Sequence, residues 1–337
     1  MPASVDSRGG AFSPWLNIMG HRHFGMDIGV TRANCTPKYD MIEYEAGDGW
    51  TIIKDEFGTT TKWWTTKSGS PQYLDPIVKT REDFEEKVEP LLDSDDMRRA
   101  SSVQYPFKHE LAETVKRLQR EFFVAVQMTG PFEYSLNLCG GLGSLLRFMV
   151  KNRDFMPRMF GCIGTFLTRM GESYIQAGVD GLWLFDDQGG QDRPFYSPKW
   201  YANLLKPAHS EICEPFEKNG LPRMLHSDGN VELMIPDFID AGFNALQPLQ
   251  SSVMDIQRLK QKYGNNLTLM GGIDTRVLST GDFDAIEKEV LTKIRMAGKG
   301  GGYIVTCDGP VPPAISLSAY QHFVDTVRKY GTYPLKY

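Results

Sequence analysis

LPRMLHSDGN, residues 221–230, decides how the rest of the chain is read. A short apolar run ends there in a cluster of ligand-capable side chains. Strand residues alternate faces, so His226 and Asp228 point one way and Ser227 the other. Gly229 lets the chain turn, and Asn230 is placed to cap the helical pattern VELMIPDFIDAG that follows. An imidazole and a carboxylate at the C-terminal end of a strand, just before a helix, occupy the position where β/α folds keep their chemistry. The plainer alternative makes His226 a hydrogen-bonded core histidine and Asp228 a loop cap.

The same scheme recurs outward from that stretch. FFVAVQM (122–128), DGLWLF (180–185), NALQPLQ (244–250), LTLMGGID (267–274) and GYIVTCDG (302–309) are apolar runs that end in polar residues. With the opening stretch they make six strands after residue 121. Helical patterns separate them, at 141–152, at 154–177 and after Ser197-Pro198, while TGPFEYS (129–135) reads as a polar loop. Ala-Gly precedes three of the strands, at 177–178, 241–242 and 297–298, where glycine is expected as a left-handed helix cap. Apolar strands alternating with helices are parallel β/α units. Two further strands from the first 120 residues would close an eight-stranded barrel. No GxGxxG follows the first strand of the series and no GxxxxGK[ST] occurs anywhere, which sets nucleotide-binding sheets aside. The expected fold is therefore α/β, a single (β/α)8 TIM barrel over residues 1–337 with its core repeats at 121–337.

The first third is different. Residues 1–20 are rich in Ser, Gly and Pro and are expected to be flexible; GHRHFGMDIG (20–29) reads as a short helix and loop. MIEYEA, WTIIKDEFG and TTTKWWTT, broken by Asp-Gly and Phe-Gly turns, predict an antiparallel hairpin or three-stranded meander over 41–66. Trp50, Trp63 and Trp64 could make it a lid or dimerisation flap, but aromatic pairs that hold the strands together explain them better. REDFEEKVEPLL, opening after Thr80, and HELAETVKRLQRE (109–121) are expected helices.

Composition narrows the class. Hydrophobic content of 41% and charged content of 23% are ordinary for a globular domain. A formal charge of −5 gives no basic footprint for nucleic acid. The five cysteines are odd in number and never in CxxC spacing, as expected in a reducing compartment. No signal-peptide pattern opens the chain and no apolar run reaches membrane-spanning length, so the expected location is the cytoplasm.

In a barrel all strand C-termini converge on one face. Collected there are Gln127 and Thr129; Asp186, Asp187 and Gln188; His226 and Asp228; Gln247 and Gln250; Asp274; and Cys307 with Asp308. Asp186, Asp187, His226 and Asp228 are the candidate acid–base or catalytic groups. Gln127, Thr129, Phe132, Gln188, Gln247, Asp274 and Asp308 are candidate substrate contacts, with Trp183 and the Phe132–Tyr134 pair as apolar walls. His226, Asp228 and Cys307 are a candidate metal set, because all three types bind zinc.

From about Asp180 to Tyr333 the chain resembles the uroporphyrinogen decarboxylase superfamily. The resemblance is carried by HSDGN, by AGFNALQPLQ with MDIQRLKQKYG, by LMGGIDTRVLSTGD, and by GGGYIVTCDGPVPPAISLSAYQHFV. It implies a (β/α)8 barrel and one of two activities, porphyrinogen decarboxylation or corrinoid-linked methyl transfer. The decarboxylases carry an N-terminal arginine-rich motif for the carboxylate arms of their substrate, whereas Arg8, Arg22 and Arg32 here are scattered. The thiol methyltransferases bind zinc through His-x-Cys and a later Cys. This chain keeps His226, has Asp228 in place of the first Cys, and has Gly309 near the second position, two residues past Cys307. Oxygen in place of sulfur loosens the preference for zinc. The resemblance thus implies a methyltransferase acting on a methoxy-aromatic or methylamine-type donor. Its acceptor would be cobalamin, free or on a corrinoid protein, zinc is a candidate ion, and a homodimer is compatible. A lyase that decarboxylates a carboxylated tetrapyrrole and a non-catalytic tetrapyrrole- or corrinoid-binding barrel are the alternatives.

Overall fold

The computed structural model describes residues 14–64, 69–92 and 111–335. The chain forms two compact units, residues 1–182 with 203–216, and 183–202 with 217–337.

In the first unit, β1 (Ile28–Arg32) lies parallel to β6 (Phe123–Thr129), in register from Ile28 opposite Phe123 to Arg32 opposite Gln127. Strands β2 (Ile42–Gly47), β3 (Trp50–Lys54), β4 (Thr60–Trp64) and β5 (Gln72–Asp75) make an antiparallel sheet in that order. The meander expected over 41–66 thus gains a fourth strand. Its tryptophans hold it together: Trp50 sits opposite Trp64, and the Lys62 ammonium lies 3.8 Å from the centre of the Trp50 ring. Helices Arg81–Lys87, Met156–Gln176 and others pack around a core that includes Phe84, Val124, Phe132 and Phe160. Thr80 and Asp83 close a reciprocal capping box on Arg81–Lys87.

Three expectations in this unit are corrected. TGPFEYS is not a loop: Gly130 is the N-cap and Pro131 the first residue of helix Pro131–Cys139, where the missing N–H of proline costs nothing. The stretch 20–29 is only partly helix and loop, because Pro14–Phe24 is helical but Ile28 already begins β1. Of residues 1–20, expected to be flexible, 14–20 belong to that helix and the rest lie outside the described residues. The helix expected from His109 is present as Leu111–Leu118, residues 109 and 110 lying outside the description.

Asp55 shapes the β3–β4 turn by accepting the main-chain N–H of Phe57 (3.0 Å) and of Thr59 (3.1 Å). Burial pushes its carboxyl up from 3.8 to about 6. Between those values the folded chain binds more protons than the unfolded chain, so this group makes stability fall as pH rises through the window. Asp55→Asn keeps the acceptor oxygen and is expected to remove that fall. Urea unfolding at about pH 4 and about pH 7 measures it; an equal wild-type and variant pH slope would refute the assignment.

Strand β7 (Gly181–Phe185) has its last three residues in the second unit, and the main-chain N–H of Asp186 just beyond it donates to the His226 carbonyl (3.0 Å). Strands β8 (Arg223–His226), β9 (Ala245–Leu249), β10 (Thr268–Ile273) and β11 (Tyr303–Cys307) follow as a parallel ladder, with His226 opposite Gln247 and Ile273 opposite Cys307. Helices Ile256–Tyr263, Phe283–Ala297 and Leu317–Tyr330 cover it, burying Leu259, Ile286, Val290, Ile294 and Phe323. After His226 the chain passes through a 3-10 turn, Glu232–Met234, into helix Ile235–Asp240, and Asn230 accepts the Glu232 N–H (3.2 Å) rather than capping one continuous helix. The expected left-handed glycines stand at Gly178 and Gly242, with φ of 91° and 105°. Gly298 is instead right-handed (φ −76°).

All six strands expected after residue 121 form; β6 pairs parallel with β1, and β8 to β11 pair parallel with one another. Before it a single parallel strand, β1, stands among the described residues, so seven such strands are found where eight were expected.

Candidate active site

Burial along β7 and its loop alternates, and the alternation sorts the candidates. Leu182, Leu184, Asp186 and Gln188 are buried on one face, while Trp183, Phe185 and Asp187 stand half-buried on the other. The same rule applies after β8, where Ser227 is buried and His226 and Asp228 share the opposite face. The two half-buried faces meet. His226 Nε2 lies 3.6 Å from Asp187 Oδ1 and 3.9 Å from Asp228 Oδ2. One ligand atom from each of the three lies within 4.8 Å of the others.

The loops carrying these groups are stitched to each other. The Asp228 N–H donates to Asp187 Oδ1 (2.9 Å), the Gln188 N–H to Ser227 Oγ (2.8 Å) and the Asn230 N–H to the Gly190 carbonyl (2.8 Å). Gly229 N–H donates to Gln250 Oε1 (3.1 Å) from a left-handed backbone, φ 79°. Phe185 stacks on the imidazole at 4.2 Å between ring centres, tilted 14°. Gln247 Oε1 lies 2.5 Å from His226 Nδ1.

Of the cluster, Asp228 lines a cleft of about 560 Å³, together with Gly189, Gly190, Gln250, Asp274 and Asp308 among others. Its arginine, Arg276, is held by Asp274 (2.6 Å), which it keeps below the usual carboxylate range. Asp308 accepts from Ser251 Oγ (2.6 Å) and from the Thr275 N–H (3.1 Å). Loss of water on its inner side raises the Asp228 carboxyl above its ordinary value; His226 opposes this, and Asp187 and Asp308 add to it. Two carboxyl groups and an imidazole at these distances can together pass a proton or hold a cation.

Asp186 and Gln188 are fully buried behind the site, with Gln188 accepting the Tyr196 hydroxyl. Cys307 stands outside the three-ligand cluster, and burial, then Asp308, pushes its thiol up to about 12. Gln127, Thr129 and Phe132 belong to the first unit: Gln127 accepts from Arg32 Nε (2.8 Å), Thr129 ends β6, and Phe132 is fully buried. Tyr134 is buried with it, edge-on to Phe57 at 5.0 Å, so the pair is core here. Trp183 packs 5.5 Å from Phe185 rather than forming a wall by itself. Sequence reading missed Phe185, although period-two counting from Trp183 to Asp187 passes through it.

The metal that the superfamily resemblance implies for this position fits the donor set. One imidazole nitrogen and two carboxylate oxygens suit a divalent ion of borderline or hard character, with coordination positions left for substrate. Among the described residues no helix is long and apolar enough to cross a membrane.

The arrangement is that of an α/β protein with an acidic cleft at the C-terminal ends of parallel strands. The uroporphyrinogen decarboxylase (URO-D) family model matches residues 49–330, and the chain belongs to that family. A uroporphyrinogen decarboxylase from Trichodesmium erythraeum (strain IMS101) is 22% identical over 236 residues, covering 68% of this chain and 62% of the relative, less than two thirds of its length. Among solved structures, a methyltransferase from Methanosarcina mazei superposes with a TM-score of 0.69 at 16% identity, over 95% of this chain and 85% of that one. At that identity the likeness speaks for the fold alone. A B12-independent methionine synthase from Shewanella sp. W3-18-1 superposes with a TM-score of 0.44 at 11% identity, over 66% of each chain.

Proposed function

We propose that this chain is a methyltransferase that takes a methyl group from a small methoxylated or methylamine-type donor and passes it to a corrinoid acceptor, free or carried by a partner protein. The observation that carries the reading is the Asp187–His226–Asp228 cluster, whose Asp228 lines an acidic cleft. The C–O or C–N bond breaks with its electron pair left on oxygen or nitrogen, and the methyl carbon goes to the acceptor. The departing atom needs a proton, which Asp228 is placed to give. Help of this kind is worth about 10²–10⁴-fold in rate. A metal held by Asp187, His226 and Asp228 would supply Lewis acidity to the same departing atom.

A tetrapyrrole decarboxylase is the second reading, favoured by the curated relative. Against it stands the cleft itself, where among the described residues Asp228, Asp274 and Asp308 share the lining with one arginine, Arg276, that Asp274 already holds. A polycarboxylated substrate needs fixed cations.

Reduced cobalamin, offered with methoxylated aromatics and methylamines in turn, tests the proposal by the absorbance of the methylated acceptor. The expected result is enzyme-dependent methylation with one donor class. No methylation with any donor, together with release of carbon dioxide from a carboxylated tetrapyrrole, would replace the proposal with the second reading.

A further inference from the structure

Taking the Asp187–His226–Asp228 cluster as the working centre, we infer that Gln247 is a positioning residue that fixes which nitrogen of His226 works. Gln247 is the cross-strand neighbour of His226 on β9, and its side-chain oxygen Oε1 lies 2.5 Å from Nδ1. Its main chain is held as well, because the Ser227 N–H donates to the Gln247 carbonyl (2.7 Å). An amide oxygen only accepts, so Nδ1 carries a hydrogen and donates it. The open valence of the ring is then Nε2, the nitrogen that faces Asp187 at 3.6 Å and Asp228 at 3.9 Å. The lone pair of Nε2 is thus presented to the carboxyl groups of Asp187 and Asp228. Gln247 thereby leaves Nε2, the nitrogen on the cluster side, as the acceptor atom of the ring. Phe185, stacked on the ring face, blocks rotation of the imidazole out of this orientation. The role is distinct from contact with substrate, which the sequence assigned to this glutamine. Its partner is a histidine already turned toward the cluster, and outer partners of that kind set tautomer and basicity.

Nitrogen NMR of the full chain labelled in histidine tests this, with the His226 signal assigned by its loss in His226→Gln. Wild type is expected to hold the Nδ1–H tautomer. Gln247→Met, close in shape but without an acceptor, is expected to lose that preference. Gln247→Glu, which restores an acceptor oxygen, is expected to keep it. An Nε2–H tautomer in wild type, or an unchanged Nδ1–H tautomer in Gln247→Met, would overturn the inference whether or not the variants are active. Zinc titration of the same proteins should show a loss of about 10–100-fold in Gln247→Met and recovery in Gln247→Glu. Equal zinc affinity in all three would count against the assignment. A wild type that holds the Nδ1–H tautomer but takes up no zinc would sink the metal reading of the cluster and support the positioning role of Gln247. Failure of methyl transfer with the tautomer intact would sink the proposed function alone.

Discussion

Asp187→Ala is expected to cut methyl transfer by about 10²–10⁴-fold with little change in folding, while Asp186→Ala leaves turnover per folded molecule near wild type and lowers stability. The two carboxylates are sequence neighbours and chemically identical, so the contrast isolates the strand alternation. Asp187 shows about a third of its side chain to solvent, faces the imidazole and accepts the Asp228 N–H. Removing it takes away one wall of the cluster and loosens the loop that presents Asp228. Asp186 has no accessible surface. A buried carboxylate keeps its place through polar partners, and truncating it leaves those partners unsatisfied, at a cost of about 1–3 kcal/mol. Steady-state rates on the two variants, with a thermal unfolding curve for each, decide the matter. Equal losses of activity in both would mean that the facing rule does not hold here.

Gly229→Ala is expected to have the second largest effect, and on folding and activity together. The residue has φ of 79°, where a side chain costs about 1–2 kcal/mol. An added Cβ would also lie 2.5 Å from the carbonyl oxygens of Gly189 and Gly190, which are main-chain atoms and cannot swing aside. The neighbouring loop must then withdraw, and Asp187 and Asp228 separate with it. Gly178→Ala is the matched control: its φ is 91° and a Cβ there meets nothing within 4 Å. That variant should show the conformational cost alone, roughly 1–2 kcal/mol by denaturant unfolding. Gly229→Ala should exceed it and should also lose zinc uptake and methyl transfer. Equal costs for the two variants would show that the close approach of the loops is not needed.

Much of this molecule is legible in its sequence, and the gaps have physical reasons. The strands after residue 121 announce themselves because each is an apolar run bounded by glycine and turned by a helix on either side. Strand β1 does not, since IGVTR is only five residues long and follows closely on the helix that ends at Phe24, leaving little period to count. The fourth strand of the antiparallel sheet, QYLD, is four residues long and gives no period to count. Helix Pro131–Cys139 hides behind Gly130-Pro131, a pair that signals a turn as readily as a helix start. At the site, His226 and Asp228 follow from alternation within one strand. Preferring Asp187 to Asp186 needs that same count carried along β7 from Trp183. The bond from Gln247 to His226 lies beyond counting, because it depends on how two strands slide past each other. Cys307 shows the limit of listing ligand types, since a strand-end thiol attracts notice while its surroundings keep it buried and protonated.

The stitching between the loops after β7 and β8 reduces the number of independent moving parts in the site. Asp228 cannot shift without pulling on Asp187 through its own N–H, and Asn230 cannot shift without pulling on Gly190. Asp187 and Asp228 therefore behave mechanically as one jaw. Adaptation to a new substrate has little freedom there, because any change that displaces one side displaces the other. The freedom lies at other lining residues, Ser252, Arg276 and Pro310, which stand outside that stitching. Selection for altered substrate preference should collect its substitutions at those residues and leave the jaw untouched.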